Sequence, residues 1–230
     1  MKVSLNWLKE LVEIPCDVDE IAESLSMSGF EVEELLDLSL MANRIVIGFV
    51  QEVSPHPNAD KLRVCKVNVG EQKQLQIVCG ATNVREGIHV LVALEGSYLK
   101  AIDLKIKVSE LRGVVSQGMI CSLPEIGINS KKQGIAVLEE LMLDVSAPGS
   151  SPCDLLGLND IILDLAITAN RPDGMSMVGI AREISALKQT KLTLPSISEG
   201  RKLSLFSPHT NSKEIVSSKA NFSLHQINNV

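Results

Sequence analysis

The chain of 230 residues has a formal net charge of −6, with 45% hydrophobic and 22% charged residues. This composition is typical of a folded globular protein and excludes a wholly disordered chain. The longest apolar runs, residues 45–50 and 88–94, are far shorter than the roughly 20 residues that cross a bilayer, so we expect no membrane partner. Aromatic residues make up only 3%, which disfavours a broad aromatic platform for stacked bases.

The five cysteines are scattered and include no CxxC pair, which excludes the common zinc frameworks and thioredoxin-type chemistry. They predict reduced, mostly buried thiols in a cytoplasmic protein. Polar residues interrupt the first eleven positions, so the sequence does not predict a signal peptide there.

Residues 1–40 are acidic and contain one clear helical pattern. Lys2 and Lys9 stand against ten acidic residues, a net charge of −8. Apolar residues recur at helical spacing over residues 17–28, with Asp17 as the N-cap, Glu20 as its capping-box partner and Gly29 at the end. Residues 30–38 alternate as a strand does.

From residue 44 to about 145 the pattern is that of short strands. Apolar residues alternate with polar ones in five or so runs that Gly and Pro interrupt, and one of these runs places Ile106 and Val108 between lysines. About five strands in roughly 100 residues fit an OB-type barrel. Residues 44–112 hold ten basic against seven acidic residues, a net charge of +3.

Helical spacing returns in the last part of the chain. Residues 160–167 predict a strand and residues 177–187 an amphipathic helix. We expect Asn170, Arg171 and Asp173 to close a turn and cap that helix. Residues 198–230 are polar with few periodic apolar positions, which predicts a loose tail or the start of a further region.

The two ends are each too short to bury a stable core alone. We therefore predict an α+β fold in which residues 1–40 and 150–197 form one discontinuous domain. A five-stranded OB-type β-barrel, residues 41–149, would be inserted into it, since domains tolerate insertion at exposed loops.

The chain shows no self-contained active site. The four histidines lack metal or triad spacing, and the P-loop-like glycines at 113 and 118 are followed by Met119 where the phosphate-binding Lys must stand. Basic residues surround the predicted barrel instead: Lys61, Arg63, Lys66, Arg85, Lys105, Lys107 and Arg112. They could follow a phosphate backbone, or they could be ordinary charges on strand exteriors.

Longer motifs resemble a known family. The run His-Pro-Asn-Ala-Asp-Lys-Leu at residues 56–62, the run Gln-Ile-Val-Cys-Gly-Ala at 76–81 and the segment 111–122 resemble the tRNA-binding OB module. Residues 1–12, 28–33, 168–173 and 179–183 resemble the bacterial phenylalanyl-tRNA synthetase beta subunit. The resemblance covers about residues 1–195 and supports the inserted barrel.

The resemblance implies tRNA contacts for residues on the module's motifs. They are Asn58, Lys61, Arg63, Arg85, Arg112, Ser116, Met119 and Ser122. We expect Lys61, Arg85 and Arg112 to face phosphates, and Ser116 and Ser122 to hydrogen-bond sugar or base. Met119 is more typical of a core residue, and Asn58 of a residue that fixes a turn.

The resemblance also implies an α2β2 heterotetramer with the synthetase alpha subunit. In that family the aminoacylation site, which uses ATP and magnesium, is in the alpha subunit, and the editing site and the carboxylates that bind magnesium lie downstream of these residues. We therefore expect no catalytic residue, metal or cofactor in this chain, which alone would be inactive. Residues 198–230 would lead toward the editing region.

Two other interpretations stay open. A stand-alone tRNA-binding protein could use the same barrel, although such proteins lack flanking segments like residues 1–40 and 155–195. Alternatively, the chain could be a protein–protein scaffold whose barrel no longer binds RNA. The net charge of −8 on residues 1–40 favours this second alternative, since such a face should avoid RNA.

Overall fold

The computed structural model describes residues 1–70, 74–141, 145 and 147–194. The predicted tail, residues 198–230, lies outside this part of the chain. No helix within the described residues is long and apolar enough to cross a bilayer.

The first 37 residues form two strands and two helices. Strand β1 (Lys2–Ser4) leads into α1 (Leu5–Leu11), whose N-cap Ser4 accepts a hydrogen bond from the Trp7 amide at 3.0 Å. Helix α2 (Val18–Met27) is capped by Asp17, which accepts from the Glu20 amide at 2.9 Å, as the capping pattern predicts. Strand β2 (Glu31–Asp37) follows, so the predicted helix and strand are confirmed.

Both ends of the chain contribute to one antiparallel sheet. Strand β12 (Ile161–Ala166) lies between β1 and β2, with Val3 opposite Leu163 and Asp37 opposite Ile161. Helices α1 and α2 pack on this sheet together with α4 (Met177–Lys188). The core between them is aliphatic apart from one ring and contains Val3, Leu8, Ile21, Leu25, Phe30, Leu163, Leu165, Ile180 and Ile184.

The middle of the chain forms a curled, five-stranded antiparallel sheet of the OB type, as predicted. Its spatial order is β11-β6-β3-β4-β5. The strands are β3 (Ile45–His56), β4 (Ala59–Asn68), β5 (Gln74–Cys79), β6 (His89–Leu94) and β11 (Gly118–Cys121). Buried Val, Ile, Leu and Cys side chains fill it, which explains how the barrel forms with so few aromatic residues.

Two small hairpins complete the barrel, and the segment between them differs from the strand that the sequence predicts there. Strands β7 (Tyr98–Leu99) and β8 (Leu104–Lys105) pair, as do β9 (Ser109–Leu111) and β10 (Val114–Ser116). The single strand predicted around Ile106 and Val108 is therefore wrong. Ile106 is buried whereas Val108 is 47% exposed, so the two do not share a buried face.

The edge strands β5 and β11 are joined by the residues that precede β11. The Gln117 amide donates to the Gln76 carbonyl at 2.9 Å, and the Gln76 amide donates to Gln117 Oε1 at 2.9 Å. Gln76 Nε2 also donates to the Val115 carbonyl at 2.8 Å. These bonds satisfy polar groups at both edges and close the curl of the sheet.

The chain enters and leaves the barrel at adjacent points. The Gly149 amide donates to the Ile47 carbonyl at 2.7 Å, and the Ile47 amide donates to the Ser150 carbonyl at 3.0 Å. Helix α3 (Cys153–Leu156) follows, and Cys153 and Leu158 are buried in the same cluster as Leu91 of β6. The segment 153–158 thus packs on the barrel, although the sequence places the end of the inserted domain at residue 149.

Helix α4 has a different cap from the one predicted. Ser176 is its N-cap and accepts from the Gly179 amide at 3.0 Å. Arg171 instead joins the two ends of the chain: it donates to the Ser28 carbonyl at 2.6 Å, pairs with Glu183 at 2.7 Å and lies 4.1 Å over the Phe30 ring. The prediction that residues 170–173 cap this helix is therefore wrong, because the chain first passes through a 3₁₀ turn (Pro172–Gly174).

Candidate nucleic-acid interface

The tips of two barrel hairpins are fastened together by the motif at residues 56–62. His56 is buried, and its Nδ1 accepts from the Asn58 amide at 3.1 Å. Its proton is therefore on Nε2, which lies 3.0 Å from the Leu111 carbonyl and donates to it. Asn58 Nδ2 donates to the Arg112 carbonyl at 2.8 Å. His56 and Asn58 thus hold the β3–β4 turn against the β9–β10 turn.

The β9–β10 turn places Arg112 at the surface through an unusual backbone. Arg112 has φ 51° and Gly113 has φ 87°, the pair of positive values that a tight two-residue hairpin turn requires. A Cβ at Gly113 would lie 3.2 Å from Asn58 Nδ2, so glycine also permits the close approach of the two turns. The Arg112 side chain is exposed.

Three of the predicted cations gather at this end of the barrel. Lys61 and Arg63 are exposed on β4 close to the β3–β4 turn, and Arg112 lies on the neighbouring turn. Arg63 Nη1 lies 3.3 Å from the carbonyls of Asp60 and Leu62. In the described part of the chain, neither Lys61 nor Arg112 has an ion-pair partner. All three are therefore available to an anionic ligand.

A cleft of about 590 Å³ opens beside β11, between β5 and the segment that follows β8. Its polar and charged lining includes Lys105, Lys107, Ser109, Ser116, Ser122 and Glu125, and Met119 lies among them. Of the predicted contact residues, Ser116, Met119 and Ser122 therefore come together here. Lys105 and Lys107, which the sequence indicates as basic residues around the barrel but which the resemblance does not place among the tRNA contacts, line the same cleft.

Ser116 has a role within the barrel. Its side chain is 3% exposed, and its Oγ accepts from the Val78 amide at 3.1 Å and donates to the Gly118 carbonyl at 3.0 Å. These bonds tie β10 and β11 to β5. The predicted contact of Ser116 with RNA remains a prediction, and this geometry disfavours it because the hydroxyl proton is already donated within the protein.

Ser122 is paired with Glu125 at the margin of the cleft. Its amide and its Oγ donate to Glu125 Oε2 at 2.6 Å and 2.8 Å. Met119 is half-buried and packs against the core cluster that contains Leu91. Both residues could contact a ligand at the mouth of the cleft.

Arg85 lies apart from these residues and does not line the cleft. Its Nη2 is 3.0 Å from Glu140 Oε1, in the 3₁₀ helix Leu138–Leu141, and its Nη1 is 3.4 Å from the Asn83 carbonyl. Both members of this ion pair are about half exposed, so the pair contributes little to stability. A phosphate could replace the carboxylate at low cost.

The buried thiols near the cleft are not poised for chemistry. Burial raises the pKa of Cys79, which lines the cleft, and raises the pKa of Cys65 and Cys121 to about 12. These thiols are therefore neutral at pH 7 and poor nucleophiles. The described residues include no group of three or more His, Cys, Asp or Glu side chains placed to hold a metal ion.

A curled five-stranded barrel with a basic cleft defines the class of OB-type oligonucleotide-binding modules. A family model described as "Putative tRNA binding domain" matches residues 45–145, which are the barrel.

Comparison of the whole chain with known proteins extends this similarity beyond the barrel. The chain is 59% identical over 231 residues to the "Phenylalanine--tRNA ligase beta subunit" of Prochlorococcus marinus strain SARG, covering 100% of this chain and 28% of that protein. It is 57% identical over 197 residues to the same subunit of Synechococcus sp. strain CC9605 and 55% over 199 residues to that of Trichormus variabilis, covering 86% of this chain and 24% of each. Along its whole length the chain is therefore similar to the N-terminal region of phenylalanine–tRNA ligase beta subunits. It spans about a quarter of the length of these relatives.

Proposed function

We propose that this chain is the N-terminal part of a phenylalanine–tRNA ligase beta subunit and that it binds tRNA through its barrel. The observation that carries the proposal is the match of the whole chain to beta subunits together with the tRNA-binding family model on residues 45–145. The exposed cations Lys61, Arg63 and Arg112 and the lysines of the cleft give the barrel a means of holding a phosphate backbone.

The chain would act within an α2β2 heterotetramer with the alpha subunit, in the cytoplasm. That assembly would join phenylalanine to its tRNA with ATP and magnesium. The described residues include no group of ligands that fits a magnesium site. On the similarity to beta subunits, we assign ATP, magnesium, aminoacylation and editing to other parts of that assembly, and no step of the reaction to this chain alone.

A protein–protein scaffold is the second candidate, favoured by the net charge of −8 on residues 1–40. In that case the barrel would only dock onto a partner. A stand-alone tRNA-binding protein is disfavoured, because the match to beta subunits continues through both segments that flank the barrel.

The first test is a titration of the chain with tRNA that carries the phenylalanine anticodon, at several salt concentrations and with an unrelated tRNA as competitor. We expect binding that weakens as salt rises, with a log–log slope of a few units, because each phosphate contact releases counterions. Absence of binding at low salt would favour the scaffold.

The second test removes the predicted phosphate contacts. The triple variant Lys61→Ala, Arg85→Ala, Arg112→Ala should bind tRNA more weakly, with a salt slope smaller by about one for each phosphate that is no longer neutralised. The matched control is Lys9→Ala, Arg182→Ala, Lys191→Ala, which removes three exposed cations outside the barrel. Unchanged binding by the first triple variant, or an equal weakening in the control, would contradict the assignment of these residues to phosphates.

A further inference from the structure

Two lysines are held at the rim of the cleft by the buried residue between them. Ile106 is 5% exposed, its amide donates to the Ser97 carbonyl at 2.8 Å, and its carbonyl accepts from the Gly96 amide at 2.9 Å. Lys105 and Lys107 on either side are exposed and line the cleft. Neither has an ion-pair partner among the residues that the structure describes. They can therefore hold a phosphate group at this rim.

A single carboxylate lies in the same cleft. Glu125 Oε2 accepts two hydrogen bonds from Ser122, which fix the orientation of the side chain. Its Oε1 makes no hydrogen bond with the described residues. Cys79 lines the same cleft, and its pKa is raised mainly by burial and also by the negative charge of Glu125. Glu125 thus presents an oriented hydrogen-bond acceptor in a cleft that Lys105 and Lys107 also line.

Apolar side chains complete the lining. Leu104 is 41% exposed and Leu111 is 40% exposed, and both line the cleft with the half-buried Met119. Exposed apolar side chains of this size are suited to packing against the flat face of a base. The cleft therefore combines the three elements that bind a nucleotide: cations for the phosphate, apolar surface for the base face and a fixed polar group for the base edge.

We propose that this cleft binds one unpaired nucleotide of the RNA and that Glu125 selects guanine at that position. The proposal rests on the proposed function, since it specifies which part of a bound tRNA enters the barrel. Guanine presents two adjacent donors, N1–H and the N2 amino group, to an acceptor such as Glu125 Oε1. Uracil presents a single N–H that lies between two carbonyl oxygens, and a carboxylate is repelled by both of these oxygens. In a duplex these edges are already paired, so only an unpaired base can be selected in this way.

The experiment uses short RNA of fixed length. An octamer of uridine with one central guanosine is compared with the same octamer carrying inosine, which lacks only the N2 amino group, and with the octamer of uridine. For the wild-type chain we expect the guanosine octamer to bind about tenfold more tightly than the inosine octamer, as for the loss of one hydrogen bond to a charged group. The uridine octamer should bind most weakly.

The variant Glu125→Gln should bring the ratio between guanosine and inosine close to one, while Gln keeps the size of the side chain. The matched control is Glu110→Gln, which removes the same charge from the neighbouring β9, where residue 110 does not line the cleft. This control should keep the full ratio. Thermal unfolding of both variants checks that the fold is retained.

The outcomes separate this inference from the proposed function. Equal binding of guanosine and inosine octamers by the wild-type chain, or an unchanged ratio in Glu125→Gln, would overturn the selection of guanine even where tRNA binding is salt-dependent and intact. Failure to bind any octamer would overturn the cleft as a nucleotide site. Loss of tRNA binding as well would overturn the proposed function with it.

Discussion

His56 connects two hairpins of the barrel through both of its ring nitrogens. Nδ1 accepts from the Asn58 amide and Nε2 donates to the Leu111 carbonyl. Because the ring is buried, water could not replace either bond without entering the barrel. The histidine of the sequence motif is thus a structural residue that sets the position of Arg112, and only indirectly a binding residue.

Replacing His56 by Leu should lower the free energy of unfolding by about 1–3 kcal/mol, since the Asn58 amide and the Leu111 carbonyl lose partly buried hydrogen bonds. Chemical denaturation of the wild-type chain and the variant measures this difference. Lys61→Ala serves as a control because that side chain is exposed on the same hairpin, and it should change stability by less than about 0.5 kcal/mol. Equal stability of His56→Leu and the wild-type chain would contradict the role of the imidazole.

Arg171 gives the stability of the chain a pH dependence. The hydrogen bond from Arg171 holds the pKa of Asp173 below its usual value. A carboxylate with a lowered pKa in the folded state stabilises the protein above its unfolded pKa of about 3.9, and this contribution is lost as the pH falls through the folded value. The Arg171–Asp173 pair therefore stabilises the folded chain at neutral pH, and this stabilisation is lost in acid.

The variant Arg171→Met should melt at a lower temperature than the wild-type chain at pH 7, and this difference should shrink below about pH 4. Thermal unfolding followed by circular dichroism from pH 7 to pH 2.5 measures it. Arg182→Met is the control, since Arg182 is exposed on α4 and has no ion pair among the described residues. A difference in melting temperature that stays constant across this range would exclude the Asp173 contribution.

Helix α4 shows how a contact between elements overrides local preference. Gly179 lies in its first turn, where alanine is the better helix former by about 1 kcal/mol. However, a Cβ at this position would lie 1.8 Å from the Asp173 carbonyl oxygen. The glycine is therefore required by the preceding 3₁₀ turn, which packs directly on the helix.

Gly179→Ala should destabilise the chain by about 1–3 kcal/mol, the usual cost of overpacking, despite the gain in helix propensity. Denaturation of the variant measures the change. Ala186→Gly, at an exposed position of the same helix, isolates propensity and should cost about 1 kcal/mol. A stabilised Gly179→Ala variant would mean that propensity decides at this position and that the turn can move.

The described part of the chain consists of a small α+β domain and a barrel that is inserted between strands β2 and β12. We propose that residues 1–37 and 160–194 form a unit that folds without the barrel, with β2 and β12 as adjacent antiparallel strands. The Leu38 amide donates to the Asp160 carbonyl at 3.0 Å, so the chain leaves and re-enters this sheet at one point. Because Cys153 and Leu158 pack with the barrel, the proposed division lies near residue 159.

Replacing residues 38–159 by Asn-Gly should join β2 and β12 in a short hairpin. We expect cooperative unfolding with a stability of at most about 3–5 kcal/mol, as for other small cores. Replacing only residues 41–149 should give a poorly folded product, because Leu158 would lose its buried surroundings. A disordered Asn-Gly variant would show that the sheet depends on the barrel.

Local signals predicted helices α2 and α4, most of the barrel strands and the OB-type fold, but neither α1 nor α3. Asp17 and the spacing of apolar residues act within one element, so α2 could be located from sequence. The pairing of Arg85 with Glu140 and the burial of Ser116 depend on residues far apart in the chain, which no local pattern specifies. For the same reason the true cap of α4, and the cleft that Lys105 and Lys107 line, became evident only in the structure.

The single point where the chain leaves and re-enters the small sheet has a mechanical consequence. A force that draws the barrel away from this sheet acts at the Asp37 and Ile161 ends of β2 and β12. Because both strand ends are joined to the same barrel, such a force pulls them in one direction and does not separate β2 from β12. Tension transmitted by a ligand on the barrel would therefore be shared between two parallel connections, and the pairing of the two strands would be retained.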